Sequence, residues 1–474
     1  MKKLISYSII LFFLAYCSMF GVREYKRSAC MGFDFESKTR IPTEGIGNSG
    51  GVYFGEVTQK GDYIIPHGCG RAVNQREEFS YEGEFFESAY HGQGTYKGKQ
   101  YTYEGEFQKN KKHGRGSIVF HTDNERYDGD FFEGKYEGRG KLVFGDGSSV
   151  EGKFVNDEVN GYAVYRSPKD SVYKGEFKNG KKHGKGKIEF EDGSSYEGMF
   201  VGDRYEGEGV YKYESGAVYR GGFKDGKKHG FGVTKFSNGD VFEMNYENGR
   251  NNNRGIYTFA SGSKYNGGFN EKEEFYGEGT ITYEDGAIFQ GEFREGKKNG
   301  FGTITFKTKD RFEGNFVNGK FQGQGAYYFK DGDFFKGLFA DDEMNGYGEY
   351  TFKSGHTYKG NFYNGKFQGD GIYYFAADEY MKGDFVDGRV TGLVLFALSA
   401  GDRYECMVEN SKIVGDCKEE KKEVIVEAKV TRKISDLNEK QNPPSSSQRK
   451  KDQSTKQEGR MADSSTPTVQ GAGK

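Results

Sequence analysis

The 474-residue chain has no tryptophan, six prolines and five cysteines, and its charges nearly cancel at −2. Balanced charge excludes a global field that would draw the protein to nucleic acid. Cys17, Cys30, Cys69, Cys406 and Cys417 lie at irregular positions with no Cys-x-x-Cys pair, so they form no metal-ligand pattern. Cys406 and Cys417 are close enough to pair in an oxidising compartment, and read equally well as reduced, part-buried thiols. Aliphatic residues are scarce too: the hydrophobic share is 34%, against roughly 45–50% in globular domains. A deep, rounded core is therefore excluded.

Glycine (74 residues) and aromatic residues (16%) are abundant, and both are periodic. The stretch 173–195 opens with Tyr173-x-Gly175-x-Phe177. That pattern returns at Tyr196, Tyr219, Phe242, Tyr265, Phe289, Phe312, Phe335 and Tyr358, and upstream at Val150, Tyr127, Tyr103 and Tyr81. A worn copy stands at Tyr53, and degraded copies begin near Met381 and Tyr404. The spacing is chiefly 23 residues, which indicates a stacked array and not an ordinary globular domain.

Within one copy, Tyr173, Gly175 and Phe177 share a face by period-two alternation. Asn179-Gly180 marks a tight turn, alternation resumes through Gly184, Gly186, Ile188 and Phe190, and Asp192-Gly193 marks the next turn. Each copy thus reads as a β-hairpin. About fifteen of them give an all-β, single-layer antiparallel ribbon, a twisted rod of about 140 Å at two strands per copy. One face would carry Glu, Lys and Asp, the other an open aromatic groove suited to a partner or to self-association. That groove would include Tyr103, Phe107, Tyr173, Phe177, Tyr196, Phe200, Tyr219, Phe223, Phe312, Phe316, Tyr358 and Phe362.

The motif resembles the MORN repeat (membrane occupation and recognition nexus). Tyr103-Glu-Gly-Glu-Phe107 followed by His113-Gly-Arg-Gly116 is a clear copy, and Tyr219 to Gly232 is nearly as good. The resemblance extends over about 365 residues, with departures at Val150, Met244, around Lys382-Gly383, and at Cys406. It implies a β-hairpin scaffold, tether or dimerisation rod, with membrane association through acidic phospholipids in some members. About 50 residues precede the repeats and under 60 follow, too few for a catalytic domain at either end.

No cofactor, metal or catalytic constellation is expected. His91, His113, His183 and His229 share one repeat position, but other copies place Asn160, Glu206, Asn299, Gln322, Asn345 or Gln368 there. A ligand set does not tolerate that variety, so a turn-packing role is expected. The recurrent Glu of Tyr-x-Gly-Glu-Phe reads as a solvated face and not as paired catalytic carboxylates. Lysine pairs recur in equivalent loops: Lys111-Lys112, Lys181-Lys182, Lys227-Lys228 and Lys297-Lys298. Aligned along one edge, they could meet an acidic phospholipid surface at about 1 kcal/mol each, or simply keep the edge soluble.

At the N-terminus, Lys2-Lys3 and the apolar run to Val22 read as a secretory signal peptide or a membrane anchor. Residues 23–50 read as a linker, 51–417 as the repeats, 418–437 as a short capping helix, and 438–474 as a disordered tail. The expected function is a non-enzymatic, membrane-associated scaffold that binds a protein partner or itself. The alternative is a secreted or periplasmic module holding a peptide or glycan on the aromatic groove.

Overall fold

The computed structural model describes residues 30, 32–35, 38–42, 51–169 and 171–419. These residues form antiparallel strands joined by tight turns, with no helix among them. The copy at 173 shows why. Strand Val172–Lys178 turns at Asn179 and Gly180, whose φ values of 51° and 74° are those of a type I′ hairpin turn. Strand Lys181–Glu189 returns, with Tyr173 opposite Ile188 and Gly175 opposite Gly186. A bulge follows, so that Phe177 faces Lys182. After Gly193 the chain enters Ser195–Val201, which pairs back on Lys181–Glu189.

The core is a column of rings on one face of the sheet. Tyr173 lies across Gly175 and Gly186, where any Cβ would overlap its ring. Its hydroxyl donates to the Glu176 carbonyl at 2.9 Å. Phe177 meets the ring edge-on at 5.2 Å and Phe200 of the next copy does so at 5.0 Å. The ring is therefore clamped between its own repeat and the next, and edge-to-face pairs of this kind each contribute about 0.5–1.5 kcal/mol.

The chain divides into two compact units, Met1–Glu214 and Ser215–Lys474. In the first, strand Thr39–Pro42 lies in the stretch read as linker and adds to the edge of Gly51–Lys60. Cys30 and Cys69 form a disulfide there. In the second, Cys406 and Cys417 are bonded, which closes the last hairpin. Lys418 and Glu419, read as the start of a helix, instead extend against Tyr404 and Glu405, where backbone pairing is on offer. The rest of that segment, the tail from 438 and the signal or anchor at 1–22 lie outside the described residues.

The irregular copies keep the hairpin and change its filling. Val150 faces Tyr165, and Ala163 occupies the space against Gly152. Met244 is buried in place of a glycine. In the degraded copies Met381 and Val390 replace rings and Val394 replaces a glycine, all fully buried.

Candidate functional site

The aromatic residues assigned to an open groove are the core itself. Tyr103, Tyr173, Tyr196, Tyr219, Phe312 and Tyr358 are wholly inaccessible, and Phe107, Phe177, Phe200, Phe223, Phe316 and Phe362 are at most 7% exposed. Rings laid flat on glycines and clamped by the next repeat cover one another. A glycan cannot stack on them. Burial also pushes the hydroxyl pKa values of Tyr81, Tyr127, Tyr173, Tyr196, Tyr265 and Tyr358 well up.

The lysine pairs are divided by strand alternation. They begin strands and do not sit in loops, so neighbours face opposite ways. Lys111, Lys181, Lys227 and Lys297 point outward. Lys111 engages Glu133 at 2.9 Å, a bridge repeated at Lys320–Asp341 and Lys366–Asp387. Lys112, Lys182, Lys228 and Lys298 instead point into the ring column. Lys228 Nζ lies 4.7 Å from the Tyr219 ring centre and 4.8 Å from that of Tyr246. Lys182 sits 5.6 Å from Tyr173, and Lys298 5.5 Å from Phe289. Desolvation lowers the pKa values of Lys112, Lys182 and Lys228. Four of the eight lysines thus remain outward, two in each unit.

The histidine position has the turn-packing role, and the hydrogen bonds show why it varies. In five repeats its side chain accepts from the first turn N–H of the next repeat. Asn160 accepts from Asn179 at 3.0 Å, Glu137 from Asn156 at 3.1 Å, and His229 Nδ1 from Asn248 at 3.4 Å. Gln322 and Gln368 take the same part for Asp341 and Asp387. Any acceptor of that reach serves. Among the described residues no group of three His, Cys, Asp or Glu could hold a metal ion.

The recurrent acids are bound to the sheet as well. Glu84 Oε1 accepts from the Gln93 N–H at 3.0 Å, and Glu56 and Asp130 do the same for Cys69 and Arg139. They satisfy backbone donors beside the bulge.

Sequence reasoning missed two features. The first is a polar link between repeats: Asp333 accepts from the Tyr350 hydroxyl at 2.6 Å and the Lys353 N–H at 2.9 Å, and Asp240 does likewise with Tyr257 and Ala260. The 17-residue Asp–Tyr spacing was the available signal. The second is an outward row. The residue one before the second glycine of Gly-x-Gly, or before the residue that replaces that glycine, points away from the rings. In unit 2 it is apolar in four repeats, Phe231, Phe301, Tyr347 and Leu393, and polar in the others, Arg254, Glu278, Gln324 and Asp370. The four apolar residues are more than half exposed, and Tyr162 is their equivalent in unit 1.

The tyrosine-on-glycine clamp, repeated at a fixed interval, is what a family comparison would have to reproduce. The MORN repeat matches eleven segments: 81–102, 103–124, 127–149, 173–195, 196–218, 219–241, 245–264, 289–311, 312–334, 335–357 and 358–377. Together they make up just over half of the chain. The chain belongs to the MORN-repeat family. Two MORN-like hairpins fall between the matches. One begins at Val150, which lacks the ring, and the other at Tyr265, whose turn is lengthened to Asn270–Glu274.

No curated protein matches the chain. Among solved structures, it is similar to a mutant TCP10 domain of Danio rerio CPAP, at 16% identity and a TM-score of 0.26, over 42% of this chain and 92% of that one. It is also similar to the SAS-4 (dCPAP) TCP domain of Drosophila melanogaster, solved with a proline-rich motif of Ana2 (dSTIL). That likeness has 14% identity and a TM-score of 0.22, over 33% and 85% of the two chains.

Proposed function

We propose that this MORN-repeat protein is a non-enzymatic scaffold that holds a polypeptide, a second copy of itself included, against its outward row. The observation that carries the reading is the row itself. Phe231, Phe301, Tyr347 and Leu393 recur at one repeat position with their side chains in solvent, whereas the rings of the core are occupied with one another. Several weak contacts along the row then add through effective concentration. Replacing Phe301, Tyr347 and Leu393 together with serine, which touches nothing in the core, tests it by light scattering. For an assembled parent chain, loss of that species in the variant supports the reading, and an assembly that persists contradicts it.

The two disulfides favour placing the array in an oxidising compartment, as the alternative secreted or periplasmic reading requires. Attachment to a membrane rests on residues 1–22. Contact with acidic phospholipid would run through Lys111, Lys181, Lys227 and Lys297, the outward half of the lysine pairs.

A further inference from the structure

One column of the core in unit 2 carries a buried tyrosine in four repeats, Tyr257, Tyr327, Tyr350 and Tyr373, and Thr234, Ile281, Ile304 or Phe396 in the others. Tyr257 and Tyr350 each donate to an aspartate of the preceding repeat. Each also meets an aromatic ring of the following hairpin, Tyr257 against Phe275 at 5.9 Å and Tyr350 against Phe367 at 6.5 Å. At residue 281 all three parts of this arrangement change. Ile281 replaces the tyrosine, and Lys298 stands where Phe275 and Phe367 stand. Ser263 replaces the aspartate, its Oγ accepting from the Glu284 N–H as Asp333 accepts from Lys353.

The missing ring leaves space. A cavity of about 190 Å³ opens there, lined by Ser263, Phe275, Ile281, Tyr283, Phe293 and Lys298 among others. An apolar cavity of about 150 Å³ accepts benzene, so this one has room for a single ring with a short substituent. Its wall also carries a cation. Lys298 is 8% exposed, its Nζ 3.2 Å from the Tyr283 hydroxyl and 5.5 Å from the Phe289 ring centre. An ammonium on the wall of an otherwise mostly apolar cavity matches a ligand that carries an anion on an apolar body.

We propose that this cavity binds an aryl carboxylate, with the ring in the place of the absent tyrosine and the carboxylate on Lys298. The same chemistry is offered by a free aryl acid and by a polypeptide ending in phenylalanine. The site lies among core residues and does not use the outward row, so it stands or falls apart from the scaffold reading.

The test is a calorimetric titration of the full chain with 3-phenylpropionate, with benzyl alcohol as the uncharged comparison. Saturable binding is expected, at least tenfold tighter than that of benzyl alcohol. Ile281→Tyr, which fills the space, and Lys298→Phe, which restores the neighbouring repeats' residue, should each weaken it at least tenfold. Both introduce residues that the array already carries at these places, and thermal melting checks the fold. Should Ile281→Tyr fail to fold, Lys298→Gln keeps the cavity and should reduce 3-phenylpropionate to the level of benzyl alcohol. A Gly-Gly-Phe peptide with a free carboxylate assigns the source: tighter binding than 3-phenylpropionate points to a polypeptide end, weaker binding to a free acid. Absent saturation, equal affinity for benzyl alcohol, or affinity unchanged by the substitutions would overturn the proposal.

Discussion

Lys298 and Phe321 hold the same place one repeat apart: Lys298 faces Phe293 across its hairpin, and Phe321 faces Phe316. Phe321 stacks on Phe312 with ring centres 3.7 Å apart, whereas Lys298 reaches over Phe289 with its ammonium. The same slot holds Tyr90, Tyr136, Tyr205, Phe275 and Phe367 in other repeats, each stacked on the ring of its own hairpin. A single structural position thus holds a stacked ring in some repeats, a cation in others, and Val159, Asn251, Met344 or Val390 elsewhere.

A ring in that slot should stabilise. Lys182→Tyr replaces a desolvated ammonium with a partner for Tyr173, and the backbone bond from residue 182 to Asp203 is unaffected. The gain expected from a stacked pair is about 1 kcal/mol, read as a raised melting temperature. A lowered one would mean that the cation–π contact exceeds the stacking it displaces.

Stability should depend on pH in two opposed ways. The lysines 112, 182 and 228 have lowered pKa values when folded, so the unfolded chain binds more protons between the folded value and about 10.4. Their contribution therefore rises with pH across that window. The buried tyrosines have raised values, so their contribution is complete below about 10 and is lost above it, where only the unfolded chain ionises. Melting followed from pH 7 to 12 should rise slightly and then fall steeply. Tyrosinate absorbance should appear in two steps, with exposed residues first and the buried ones only on unfolding.

Glycine at the clamp differs from glycine at the turn. Gly186→Ala forces a Cβ into the Tyr173 ring and should cost about 2–3 kcal/mol. Gly180→Ala meets no atom and carries only the strain of φ +74°, about 1–2 kcal/mol. Hydrogen exchange of strands 172–189 separates the two, because in an array each repeat reports its own stability.

The hairpin, its period and its turns were legible in the sequence, because glycine spacing and period-two alternation each have one structural meaning. Which side of a face meets solvent was not. Tyr173 and Phe177 read as a groove lining, and only the flat fit of a ring onto Gly175 and Gly186 shows that the stripe closes on itself. Lys181 and Lys182 read as one basic patch, although adjacent strand residues must part to opposite faces. The Cys30–Cys69 bond joins positions 39 residues apart, which spacing alone does not pair.

The Asp–Tyr link should be sensitive to the acceptor and not to its charge. Asp333→Ala leaves the Tyr350 hydroxyl and the Lys353 N–H without their acceptor, at about 1–3 kcal/mol. Asp333→Asn retains one carbonyl oxygen and should cost less than half as much. Denaturation of both variants against the parent chain decides between an acceptor role and an ionic one.

The most direct test of the scaffold account places a photo-crosslinking amino acid at Phe301, Tyr347 or Leu393 in the full chain, within the cells that make it, with Asp331 in an exposed turn as the control position. The account expects a crosslinked polypeptide, a second copy or another protein, from the row positions and none from position 331. Irradiation that leaves the row positions uncrosslinked, or crosslinks position 331 equally, would contradict it.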